Sequence, residues 1–226
     1  MMRYLLAGAG LSVAIINSGH AFGGAYVGAD VGLGYASTQH KYADLQGKGK
    51  ATQTSYGAVY GAHAGYLYEI GTSKTIVGGE LYGNLGSMSP NIKFGADNYP
   101  VQGDVKVKRS NSVGAALIVG KMLNIKTLLY GRVAYERATY QHEYKFRSAN
   151  TLGQQAGKTL KKNIAFTAPV MGAGIAYKAA RMIMVGGEYQ FAGMYGKKKV
   201  LNMANFQTET DPVEHRILLK ASFVFG

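Results

Sequence analysis

The side chains of this 226-residue chain that could do chemistry fall into three groups. The first holds the usual catalytic and metal-binding types. His40, His63, His142 and His215 are scattered, without the short spacings that gather metal ligands, and cysteine is absent. The run Gly153 to Thr159 (GQQAGKT) approaches a phosphate-binding loop, but its first interval is one residue short and it lies in a polar stretch. Gly172 and Gly174 lack the third glycine of a dinucleotide motif. His142 beside Glu143 is the best base–acid pair, yet neighbours on a strand point to opposite faces. No metal, no cofactor and no enzymatic activity are expected.

The second group is Asp30, Glu80, Arg132, Glu136, Glu188, Arg216 and Lys220, charges set singly among small and apolar residues. Charges of both signs placed this way are suited to pairing with one another. The third group is a set of lysine clusters, sharpest at Lys161-Lys162 and at Lys197-Lys198-Lys199, which suit polyanions. Tyr195 beside the second cluster offers a stacking or anchoring surface.

What must position these groups is a period of two. Hydrophobic residues make up 47% of the chain and charged ones 16%, yet the mean hydropathy is −0.06. Polar and apolar residues are therefore finely mixed, as strict strand alternation mixes them. Ala25, Val27, Ala29, Val31, Leu33 and Tyr35 share one face against Gly28, Asp30, Gly32 and Gly34. Tyr56, Ala58, Tyr60, Ala62, Ala64, Tyr66 and Tyr68 stand against Gly57, Gly61, His63 and Gly65. Six later segments repeat the pattern, the last with Ile217, Leu219, Ala221, Phe223 and Phe225 opposite Arg216, Lys220 and Ser222. One face is apolar and aromatic; the other carries glycine and charge, as a narrow lumen requires. Tyr35, Tyr56, Tyr66, Tyr68 and Tyr177 near segment ends fit two interfacial girdles.

The connections alternate in length. Gly71 to Lys74, Leu123 to Lys126 and Lys178 to Arg181 are short, whereas 38–53, 88–104, 142–162 and 195–211 are long and polar. The expected fold is all-β: an eight-stranded antiparallel transmembrane β-barrel with short periplasmic turns and four long extracellular loops. The N terminus reads as a targeting segment. Arg3 sits in a short basic region, Leu5 to Ile16 is apolar, and Gly19 and Ala21 give a small-x-small end. Residues 1–21 are expected to be a signal peptide and 22–226 the barrel.

The run Ala25 to Tyr35 (AYVGADVGLGY) resembles the first strand of the opacity-type, OmpA-like outer-membrane β-barrel family. The hairpin from Met171 to Tyr177 (MGAGIAY), continuing to Gly187, Glu188 and Tyr189, resembles a late hairpin of the same family. The resemblance covers the mature chain and implies fold and outer-membrane location, not an activity. Such barrels usually end in an aromatic residue; here Phe225 is penultimate and Gly226 last, with the alternation Phe223, Phe225 intact. No periplasmic peptidoglycan-binding domain is expected after the last strand.

Counted from the short-turn end, Asp30, His63, Glu80, Arg132, Glu188 and Lys220 lie about five or six residues into their strands, with Glu136 and Arg216 about nine or ten in. Two layers of paired lumen charges are expected, either filling the barrel or gating a pore. The formal charge of +13 also has a place. The four long stretches and strand tips hold fifteen Lys and Arg, Arg109 among them, against six Asp and Glu. A signal and a lipid-facing alternation exclude a nucleic-acid protein. The expected function is a non-enzymatic surface barrel, an adhesin, surface antigen or envelope-stabilising protein. Its partners would be outer-membrane lipid and lipopolysaccharide, or host glycans or receptors. The alternative is a small porin.

Overall fold

The computed structural model describes residues 22–44, 47–88, 91–94, 103–146, 159–193, 198–203 and 206–225. Residues 1–21, the expected signal segment, lie outside them. The elements are β1 (Gly24–Asp44), β2 (Gly47–Ile70), β3 (Thr75–Gly86), β4 (Asn91–Phe94), β5 (Gly103–Asn124), β6 (Thr127–Phe146), β7 (Thr159–Ala180), β8 (Ile183–Gly193), β9 (Lys198–Met203) and β10 (Phe206–Phe225). The strand order is β1-β2-β3-β5-β6-β7-β8-β10, and β10 pairs back onto β1 from Ala25↔Phe225 to Asp44↔Phe206. This closes an eight-stranded antiparallel barrel with no free edge in its wall, as a bilayer demands of a sheet. The short strands β4 and β9 add to β5 and β10 outside the ring.

The alternation sorts side chains as the pleat requires. Leu33, Leu81, Leu117, Val133 and Leu219 are 59–72% exposed on the outside, while Glu80, Arg132 and Glu188 are 2–3% exposed inside. Tyr35 and Tyr56 stack at one rim with ring centroids 5.1 Å apart, and Tyr66, Tyr68, Tyr177 and Phe225 ring the other. From Ala25 to Tyr35 is ten steps, which at ~3.3 Å each and ~40° tilt make a belt of about 25 Å. That is the height of a barrel's lipid-facing band. The short-turn end is stoppered by an apolar cluster including Phe22, Tyr26, Leu67, Leu128 and Val224. Its turns are tight: Gly71 and Lys74 both take positive φ between β2 and β3.

Several glycines make room for lumenal rings. A Cβ at Gly114 would lie 2.4 Å from the Tyr82 ring, and one at Gly174 would lie 2.6 Å from Tyr130. The small residues of the inner face are therefore sockets for large ones on neighbouring strands.

Where they are described, the polar stretches expected as loops are largely strand. β1 and β2 stay paired out to Asp44↔Gly47, and β6 and β7 out to Lys145↔Thr159. Polarity there marks departure from the bilayer, not the end of the ladder. Once register is set, each further pair satisfies backbone groups at little extra entropy. Lys161 and Lys162 accordingly lie on β7, and Lys198 and Lys199 on β9, rather than in loops; Lys197 and Tyr195 fall outside the described residues.

Candidate functional site

Two places concentrate chemistry: the lumen and the outer wall above the belt. Near the middle of the lumen, Arg132, Lys220, Glu80 and Glu188 meet. Arg132 Nη2 donates to Glu80 Oε1 at 3.1 Å, and its Nη1 lies 3.6 Å from Glu188 Oε1. Lys220 Nζ donates to Glu80 Oε2 at 3.0 Å and to Glu188 Oε2 at 3.3 Å. Two tyrosines complete the carboxylates: Tyr26 Oη donates to Glu80 at 2.9 Å and Tyr130 Oη to Glu188 at 2.7 Å. The Arg132 guanidinium also sits 4.2 Å from the centre of the Tyr82 ring. Two cations and two anions make a neutral quartet, the arrangement that lets charge be buried.

A second quartet lies nearer the long-loop end. Arg216 grips Glu136 with both terminal nitrogens, at 2.7 and 2.6 Å, and reaches Glu214 Oε2 at 2.6 Å. Arg109 Nη2 lies 3.3 Å from Glu136 Oε1, its Nε lies 3.1 Å from Glu214 Oε1, and Nη2 donates to Ser112 Oγ at 2.7 Å. Tyr140 donates to Glu214. Gln190 ties the layers together: its Nε2 donates to Glu188 and its Oε1 accepts from Arg216 at 3.3 Å. Asp30 belongs to neither quartet. It faces His63, whose Nδ1 is 3.3 Å from Asp30 Oδ2.

Of the lumen residues singled out from sequence, Asp30, Glu80, Arg132, Glu136, Glu188 and Arg216 are buried inward, and Lys220 is partly so. Arg109, Glu214, Tyr26, Tyr130 and Tyr140 were not singled out. Arg109, expected with the cations of the long loops and strand tips, instead lies inside the barrel, 1% exposed. The reason is a bulge. Arg109 pairs with Tyr140 but Ser112 pairs with Ala138, so β5 carries one extra residue and its in–out parity switches there. Val107 and Arg109 turn inward, while Lys106 and Lys108 turn outward. Glu214 was legible, since it shares the parity of Arg216 two residues on.

That bulge also builds the outer wall. Lys106 on β5, Glu143 on β6 and Lys161 on β7 form one cross-strand row, and Lys108, Gln141 and Asn163 form another. Lys106, Lys108, Arg137, Lys145 and Lys161 are all exposed there. Glu143 Oε2 lies 3.7 Å from Lys161 Nζ and its Oε1 3.9 Å from Lys145 Nζ, with both lysine side chains over 60% exposed. Such surface pairs contribute little to stability. Arg137 is one outward step above Tyr135, at the rim of the belt, and the lysine rows follow above it. Lys162 is exposed on β7 with the opposite parity. Among the described residues no cluster of His, Asp and Glu could hold a metal ion.

No protein-family model matches the chain, and no curated protein sequence matches it. Solved structures do. The outer membrane protein OprG from Pseudomonas aeruginosa aligns with TM-score 0.55 and 12% identity over 91% of this chain and 98% of that one. The outer membrane protease OmpT from Escherichia coli gives 0.47 and 8% over 88% and 97%, and Neisserial surface protein A gives 0.38 and 10% over 86% and 97%. At 12% identity the likeness to OprG shows the fold alone, that of an outer-membrane barrel; the other two, below 0.5, carry no argument.

Proposed function

We propose that the protein is an outer-membrane surface barrel of the OmpA-like kind, exported by residues 1–21, whose outward cationic wall engages the phosphates of neighbouring lipopolysaccharide. The carrying observation is placement. Arg137 points sideways from β6 at the rim of the lipid belt, and Lys108, then Lys106 with Lys161, then Lys145 follow in outward rows above it on β5–β7, against Glu143 and Asp104 on those rows. Neighbouring strands lie ~4.8 Å apart and residues rise ~3.3 Å along each, so Lys106, Lys108 and Lys161 fall within about 10 Å of one another, a spacing that suits one multiply phosphorylated headgroup, with Arg137 below them and Lys145 above. Sideways cations above a belt meet the leaflet's own headgroups before anything in solution. An envelope-stabilising role follows, with binding of host polyanions as a use of the same charge. A pore is the weaker reading, because two closed quartets cross the lumen.

The test is retention of folded protein on lipopolysaccharide-containing vesicles and on heparin, wild type against Lys106→Gln/Lys108→Gln/Lys161→Gln. Screened lysine contacts act over a Debye length of about 8 Å at physiological salt. Binding should weaken with added salt and fall in the triple variant, with heat-modifiable migration unchanged. Salt-independent binding, or full retention by the variant, refutes the wall as the site.

A further inference from the structure

Asp30, His63 and Ser222 form a chain that neither quartet uses. His63 Nε2 is 2.8 Å from Ser222 Oγ, and His63 Nδ1 is 3.3 Å from Asp30 Oδ2. All three are buried, at 7%, 3% and 6% exposure. With the Nδ1 proton donated to Asp30, Nε2 is left to accept the Ser222 hydroxyl proton. Asp30 is itself held: oriented with its amide nitrogen toward them, Asn84 donates to Asp30 Oδ1 at 3.3 Å and to the Gly83 carbonyl at 3.2 Å. The packing fits the chain closely. A Cβ at Gly28 would lie 2.5 Å from His63 Nε2 and 2.7 Å from Ser222 Oγ, so only glycine leaves that contact open. Nucleophile, base and orienting acid are thus in hydrogen-bond sequence, which is how such a triad is recognised whatever the fold.

The chain borders a cavity. His63 and Ser222 line a space of about 30 Å³, with Lys220 and Glu80 on its polar side and Leu67, Leu128 and Met184 among its apolar walls. A volume of that size holds about two waters or a group of acetyl size. Lys220, two residues from Ser222 on the same inner face, lines the same space, with its ammonium bonded to Glu80 and Glu188.

We propose that Ser222 is an activated nucleophile, with His63 its general base and Asp30 the residue that orients that base, and that it takes acyl groups of formyl or acetyl size from small esters. Ser222 Oγ bonds to the carbonyl carbon while its proton passes to His63 Nε2. The ester C–O bond then breaks, and the leaving alkoxide takes that proton to depart as an alcohol. Water, deprotonated by His63, adds to the acyl carbon; the bond from that carbon to Ser222 Oγ breaks, Oγ takes the proton back from His63, and the free acid leaves. Between this space and the short-turn end stands the apolar stopper into which Phe22 is packed, so a substrate arriving from that end must displace it. This site is independent of the cationic wall, and either can fail without the other.

The probe is methanesulfonyl fluoride, the smallest of the alkylsulfonyl fluorides, applied to the folded full-length protein in detergent, with sites read by peptide mass spectrometry. The Ser222 oxygen displaces fluoride from sulfur and its proton leaves with the fluoride. Ser222 is expected to gain one methanesulfonyl group faster than the exposed Ser73 in the same molecule. His63→Gln should slow labelling of Ser222 by roughly 100-fold, the scale of a lost general base. Phe22→Ala should speed it by loosening the stopper. The comparison with Ser73 needs no variant, so misfolding of one cannot blur the result. Labelling of Ser222 no faster than Ser73, in wild type and in Phe22→Ala alike, overturns the proposal. So does a rate indifferent to His63→Gln in a variant that keeps heat-modifiable migration.

Discussion

Removing Arg132 is the sharpest test of the idea that the lumen is held by its charges. In Arg132→Ala, Glu80 and Glu188 lose their guanidinium contacts at 3.1 and 3.6 Å and must share the single ammonium of Lys220. Breaking a buried pair by deleting one partner typically costs about 3–5 kcal/mol, because the other charge stays buried and uncompensated. Three features pull this case toward the low end. Lys220 still touches both carboxylates, Tyr26 and Tyr130 still donate to them, and water can enter the vacated space. One feature pushes the other way: the contact with the Tyr82 ring, 4.2 Å away, is also lost, which desolvated is an effect of ~2 kcal/mol. The prediction is a loss of about 3–4 kcal/mol, seen as a lower urea midpoint for unfolding from lipid vesicles at unchanged slope. The control is the pairing itself. Glu80→Ala should also destabilise, and the double variant should lose less than the sum, with a coupling of about 1–3 kcal/mol. If Arg132→Ala and Glu80→Ala were each silent, or strictly additive, the quartet would be a geometric coincidence and the reasoning refuted.

Arginine placed at Leu81, Val133 or Leu219, all outward at mid-belt, should cost about 2–4 kcal/mol in the same assay. Arginine at an outward position above the belt, such as Gln141, should cost far less; equal tolerance at both depths would show the belt to be misassigned. The mature protein purified from outer membranes should begin at Phe22, and sequencing that found Met1 at its N terminus would overturn the export reading.

The sequence by itself determined the wall. A side-chain period of two is a local property, so inward Asp30, Glu80, Arg132 and Glu188 and outward Leu33, Leu81 and Leu219 could be assigned strand by strand. The short connections expected at Gly71–Lys74, Leu123–Lys126 and Lys178–Arg181 were legible because turn chemistry is local as well, though the strands run on to leave only residues 125–126 and 181–182 in the last two turns. Tertiary structure alone decided which inward groups meet. Ser222 and His63 are 159 residues apart, and they touch because β10 closes onto β1 with Ser222 across from Gly28, while β2 sets His63 across from that same glycine. No spacing rule in the chain encodes a ring closure. Arg109 shows the other limit. Parity counted down from Ala116 and Ser112 puts it outside; one extra residue in β5 puts it inside, against Glu136 and Glu214. A bulge is favoured by what its partner strands gain, here burial of an arginine between two carboxylates, and that gain exists only once all eight strands are in register.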